Sequence, residues 1–138
     1  MLSMNSYPKE YIDQCRARME AQLAAYRLFV DTAPKAAIDA LAPLFFSNLV
    51  IVLESSFMHR SRTLEGKDGN PLNEVRMLCS SVLQNQGVLT ADKTIKYNSA
   101  KAILKIEIGQ EIELTEADFV RLSQAFFTEV EVKFLAPA

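Results

Sequence analysis

The sequence predicts a mainly α protein: a small bundle of four to five helices with a minor β-hairpin or strand near residues 101–114. Three observations lead there. Apolar residues recur at three-four spacing over residues 7–30, 72–82 and 119–134, which places them on one side of a helix. Prolines and glycines fall at the ends of those segments, where a helix starts or stops most easily. Only residues 94–114 change period, with Ala102, Leu104, Ile106, Ile108, Ile112 and Leu114 all on even positions, the alternation of a half-buried strand.

A first helix is expected over residues 7–30, capped by Ser6 with Pro8 in its first turn. Its stripe is Ile12, Cys15, Met19, Tyr26 and Phe29, with Leu23 and Val30 beside it. Ala33-Pro34 interrupts the pattern, since a residue before proline is pushed out of the helical region. A short helix then runs over residues 35–41, and Pro43 opens a longer one reaching about Arg62. Leu44, Phe45, Leu49, Val50, Ile51, Leu53 and Phe57 cover nearly its whole circumference. A helix apolar all round belongs at the centre of a bundle or inside an oligomer interface.

Gly66-Lys67-Asp68-Gly69 reads as a turn. Asn70 then caps, and Pro71 begins, a helix with the stripe Leu72, Val75, Leu78, Cys79 and Val82, fading near Gly87. The short connection makes this helix an antiparallel neighbour of the preceding one. Residues 101–114 fit a hairpin with a three-residue loop at Gly109, which sets Ile108 opposite Ile112 and Ile106 opposite Leu114. Thr115 with Asp118 resembles a capping box for a last helix with Phe119, Leu122, Phe126, Val130 and Phe134 on one side.

The whole of residues 1–138 reads as one helical domain, and its 49% hydrophobic residues are enough for an ordinary core. A net charge of −2 provides no attraction toward nucleic acid or an anionic membrane. The polar stretch over residues 1–10 lacks the apolar segment of a secretory signal, and the apolar run around residues 49–53 is too short to span a bilayer. Cys15 and Cys79 have no metal-site or redox spacing, which suits buried thiols in the cytoplasm. No phosphate-binding loop, dinucleotide fingerprint or nucleophile elbow is present, and no cofactor is expected.

The residues with chemistry gather in one place. His59, Arg60, Arg62, Lys67, Glu74 and Arg76 lie around the turn at residues 66–69, and Glu54 is a lone carboxylate in an apolar run. One reading is a site for a small anionic metabolite, with the arginines and the amides at the Asn70-Pro71-Leu72 helix start as donors and His59 titrating nearby. A weaker one is a divalent metal held by Glu54, His59 and Glu74. The competing structural reading pairs Glu74 with an arginine and hydrogen-bonds His59 to Ser55. The surplus of apolar surface favours a non-enzymatic interaction module that forms a homodimer. A ligand site and a structural cluster differ in one visible respect: the former keeps a charge unpaired in a concavity, and the latter pairs its charges internally.

Overall fold

The computed structural model describes residues 3–138, so the first two positions of the polar N-terminal stretch lie outside it. Five helices are present among the described residues: α1 (Lys9–Thr32), α2 (Lys35–Ser56), α3 (Arg62–Glu65), α4 (Pro71–Gln84) and α5 (Glu116–Phe134). α2 packs mainly on α4, α4 on α5, and α1 lies across α2 and α5. Phe46, Phe57, Leu72, Phe119, Leu122 and Phe126 are fully buried at the centre of one continuous apolar cluster.

Most of each expected stripe is buried, although Phe29 and Val82 are half-buried and Val30 is exposed. Ile12, Cys15, Met19, Leu23 and Tyr26 turn inward on α1, and Phe119, Leu122, Phe126, Val130 and Phe134 on α5. α4 starts as its sequence requires: the Asn70 side-chain oxygen accepts from the Leu72 amide at 2.9 Å and the Asn73 amide at 3.3 Å. The Thr115–Asp118 capping box is complete, with Thr115 Oγ1 accepting from the Asp118 amide and the Asp118 carboxylate from the Thr115 amide, both at 3.1 Å. The turn between α3 and α4 needs Gly69: its φ is +89°, and a Cβ there would sit 2.7 Å from the Lys96 carbonyl oxygen.

Three expectations are corrected. α1 begins at Lys9, and Ser6 does not cap it. The Tyr7 amide donates to the Phe134 carbonyl at 2.6 Å and its own carbonyl accepts from the Ala136 amide at 2.9 Å, so the chain runs extended beside the C-terminus until Pro8.

The break before Pro43 does not occur. α2 runs unbroken from Lys35, and the proline costs it only the bond to the Asp39 carbonyl. Ala36, Ala37, Ala40, Leu41 and Ala42 are strong helix formers that carry the helix through. At 22 residues α2 is long and apolar enough, by length and composition, to cross a membrane. Its far end stops at Ser56, so Arg60 and Arg62 lie beyond it rather than in its last turn.

The hairpin near residues 101–114 is absent, and no sheet forms among the described residues. The alternation is only partly present as burial: Ala102, Ile106, Ile112 and Leu114 are buried, but Leu104 is half-buried like Ile103 and Ile108 is 47% exposed. The ladder is missing because the backbone finds other partners. Ile103 and Leu104 amides donate to the Glu74 carboxylate, and Lys105 adopts a φ of +55° that breaks the extended run. The Gly109 turn pairs with residues 87–89 instead of closing on itself: Leu89 donates to Gln110 at 2.9 Å, Gly109 to Leu89 at 2.8 Å and Ile112 to Gly87 at 2.8 Å.

Candidate functional site

The centre of the charged corner is Glu65, which is wholly buried at the end of α3. Ser61 caps this single helical turn through the Leu64 amide and aims Glu65 back under the α2–α4 seam. One Glu65 oxygen lies 2.9 Å from Arg60 Nε and 2.6 Å from Arg76 Nη2. The other accepts from Asn73 Nδ2 at 2.7 Å and Arg76 Nε at 3.2 Å. Burial pushes the carboxyl pKa of Glu65 up, but the Arg76 hydrogen bonds, the Arg60 charge and Asn73 outweigh it and hold it below the ordinary value.

Arg60 is the second member, with no side-chain exposure. Its Nη2 lies 3.0 Å from Glu54, a contact of charges without hydrogen-bond alignment. Its well-formed hydrogen bonds go to backbone carbonyls, Phe57 at 3.1 Å and Leu72 at 3.0 Å, which ties the end of α2 to the start of α4. The guanidinium also stacks over the Phe126 ring, 5.6 Å from its centroid. Glu54, the lone carboxylate of the apolar run, thus has its partner, with Arg76 3.8 Å away. Lys133 reaches in from α5 and donates to the Glu65 carbonyl at 2.8 Å. Two carboxylates, two arginines and an asparagine therefore pair their charges with one another, as in a structural cluster, although Arg60 Nε and Glu54 Oε1 are left without an aligned hydrogen bond.

The remaining expected site residues lie outside this network. Glu74 pairs with no arginine. Its carboxylate turns away to accept from the amides of Ile103 at 2.8 Å and Leu104 at 2.9 Å, and burial raises its pKa despite those bonds. His59 is exposed on the opposite side of the turn, in a cleft with Met4, Tyr7, Tyr11, Ser55 and Met58. Its side chain forms no hydrogen bond among the described residues, with Ser55 or otherwise, while its carbonyl accepts from the Met4 amide at 2.7 Å. Glu54, His59 and Glu74 are not brought together, and no group of three metal-ligating side chains is assembled among the described residues. The α4 start is closed by Asn70, which takes the amides of Leu72 and Asn73.

Arg62 and Lys67 are the outer members. Arg62 donates to Thr94 Oγ1 at 3.2 Å and stays 3.9 Å from Glu65. Arg62, Thr63, Gly66 and Lys67 line an open cleft of about 400 Å³. Beside it Asp92 is held below the usual carboxylate range, first by hydrogen bonds from Thr94 and further by Arg62 and Arg76. Neither thiol offers a nucleophile: Cys15 and Cys79 are buried, and burial pushes Cys79 up to about 11.

Glu65, the pivot of the cluster, carries little signal in the sequence. In sequence it follows exposed positions and precedes a glycine turn, as a solvated glutamate would; the one local signal is its place three residues after Arg62 and four after the capping Ser61. No family model, curated protein or solved structure matches the chain.

Proposed function

We propose that this protein is an interaction module that associates with a second copy of itself, with no enzymatic role. One observation carries the reading. α2 buries Phe46, Leu49, Val50 and Leu53 on one side and packs Phe45, Ile51 and Val52 partly against the core, but leaves Leu44 on the opposite side 67% exposed among small and uncharged polar residues. Between Asp39 and Glu54 this helix has no charged residue, so the open side lacks the features that normally keep a surface helix in water. Between Tyr26 and Phe46 no residue is fully buried, although Leu41, Ala42 and Phe45 pack partly against the core. An exposed leucine on a helix face without charges favours an interaction site. The internal pairing of Glu54, Arg60, Glu65 and Arg76 supports the same reading, since it leaves those residues to hold the scaffold.

Sedimentation velocity at micromolar concentration tests it. The unmodified chain sediments as a dimer, and Leu44→Asp, which cannot disturb the core from a position so exposed, shifts it to monomer. A monomeric unmodified chain removes the proposal.

A second reading, a weak site for a small anion, is favoured by the Arg62–Lys67 cleft, where two cations share a concavity outside the paired cluster. Titration calorimetry with inorganic phosphate tests it: heat that vanishes in Arg62→Ala/Lys67→Ala with thermal stability retained supports the site, and absence of heat at millimolar phosphate excludes it.

A further inference from the structure

From Ala40 to Ser55 the open side of α2 has the same order read from either end, with Ala37 on the same side nearer its start. Each helical residue turns by about 100°, so Ala40, Leu44, Ser47, Asn48, Ile51 and Ser55 fall within a sector of about 100°, and the core-facing residues lie opposite. Of these six, Ala40, Leu44, Asn48 and Ser55 are exposed and Ser47 and Ile51 half-buried. Going inward from one end the side chains are small, large and apolar, then polar: Ala40, Leu44, Ser47. From the other end they are Ser55, Ile51, Asn48. Both series converge on a point between Ser47 and Asn48.

A two-fold interface needs this property, because every contact of residue i with residue j recurs as j with i. We infer that α2 pairs antiparallel with α2 of a second copy about an axis at Ser47–Asn48. This rests on the self-association proposed above and adds its partner face, direction and register. Leu44 then packs against Ile51 of the second copy and Ala40 against Ser55, each contact made twice. The small pairs Ala40 and Ser55 allow the axes to approach to the ~8–10 Å of packed helices, with the larger Leu44 and Ile51 filling the space between them. Asn48 comes beside its own equivalent at the axis. A carboxamide has both a donor and an acceptor, so two of them exchange a reciprocal pair of hydrogen bonds. A single polar pair of this kind fixes register in helix pairing at some cost in affinity.

Electrostatics allows a second copy of the chain on this face and disfavours a membrane surface. Asp39 pairs with Lys35 outside this sector, and Glu54 is taken by Arg60, so no like charges meet across the axis. A helix lying in a membrane surface uses lysines and arginines along its flanks to reach headgroups. α2 has Lys35 alone, already paired, and presents Ser47, Asn48 and Ser55 in the middle of the would-be lipid side.

Site-directed crosslinking of the full chain with a short bismaleimide tests the register, with background kept low because Cys15 and Cys79 are buried. Asn48→Cys gives a covalent dimer. Ala40→Cys and Ser55→Cys crosslink when the two chains are mixed and neither does so alone, because like positions then lie about 22 Å apart along the helix. Leu28→Cys on α1 stays uncrosslinked. Sedimentation of the same variants reads the parent proposal separately: Leu44→Asp raises the dimer dissociation constant at least about ten-fold, since the side chain is lost from two equivalent contacts. A dimer that fails to crosslink at position 48, or in which Ala40→Cys crosslinks to itself, overturns the antiparallel register and leaves self-association standing. A monomer overturns both, as does recovery of the chain on vesicles of phosphatidylcholine and phosphatidylserine with the cysteine at position 48 shielded by lipid.

Discussion

Removing the Glu65 carboxylate is the most informative perturbation of the charged corner. Glu65→Ala takes away the counter-charge 2.9 Å from Arg60 Nε and the acceptor for Arg76 Nη2 at 2.6 Å and Nε at 3.2 Å and for Asn73 Nδ2 at 2.7 Å. Arg60 stays without exposure and keeps only Glu54 as counter-charge, together with the carbonyls of Phe57 and Leu72. Breaking a buried pair on one side costs about 3–5 kcal/mol, because the surviving charge is left uncompensated. Domains have only about 5–15 kcal/mol to lose. With a urea m-value of about 2 kcal/mol/M, the midpoint should fall by ~2 M. Urea unfolding followed by circular dichroism measures it, and a cycle of Arg60→Met, Glu65→Leu and the double variant separates the pair from its surroundings. The double variant is expected to recover part of the loss, since apolar replacement of both partners spares the desolvation of either. A loss below about 1 kcal/mol for Glu65→Ala, or strict additivity in the cycle, would show that water reaches the site and that the network is not the clamp described.

The same carboxylate sets the acid limit. Its folded pKa lies below the unfolded one, so its contribution is complete above about 4.5 and is lost as pH falls through the folded value; acid unfolding should be steep there, and shallower in Glu65→Gln. Glu74 has the opposite sign, because its folded pKa is raised: it takes up a proton in the folded chain first, so its own contribution rises as pH falls from above that value toward about 4.5. Glu74→Leu should release the amides of Ile103 and Leu104, seen as faster hydrogen exchange and earlier proteolysis over residues 98–108, with exchange in α1 and α5 unchanged; equal protection in both chains would refute the anchoring. Thr115→Ala should cost about 1 kcal/mol in thermal unfolding by opening the α5 capping box, and Gly69→Ala should cost more, because the added Cβ meets the Lys96 carbonyl.

How much was legible from sequence depended on the range of the interaction. The α4 and α5 caps were, because Asn70 and Thr115 act on amides two or three residues away. Glu54 was, because a carboxylate between Leu53 and Phe57 must find a partner wherever it is. Its partner Arg60 was named, but as one arginine among several, since nothing local distinguishes the buried Arg60 from the part-exposed Arg62. Glu65 escaped notice for the same reason: the groups that bury it come from α4 and α5, through Arg76, Asn73 and Lys133. The period-two signal over residues 102–114 predicts a strand, but alternation speaks to which side is buried and not to which groups bond the backbone; Glu74 and residues 87–89 supply those bonds.

The inward stripes of α1, α4 and α5 and the caps of α4 and α5 thus follow from periods of three to four residues and from side chains that reach their own backbone. Whether the apolar length of α2 would be enclosed or left half uncovered was decided only when α1, α4 and α5 took their places. Each of those helices has a single apolar stripe, and together they cover one side of α2 and leave the other open. Burial is a property of neighbours brought from far along the chain, and a local pattern cannot state how many of them arrive.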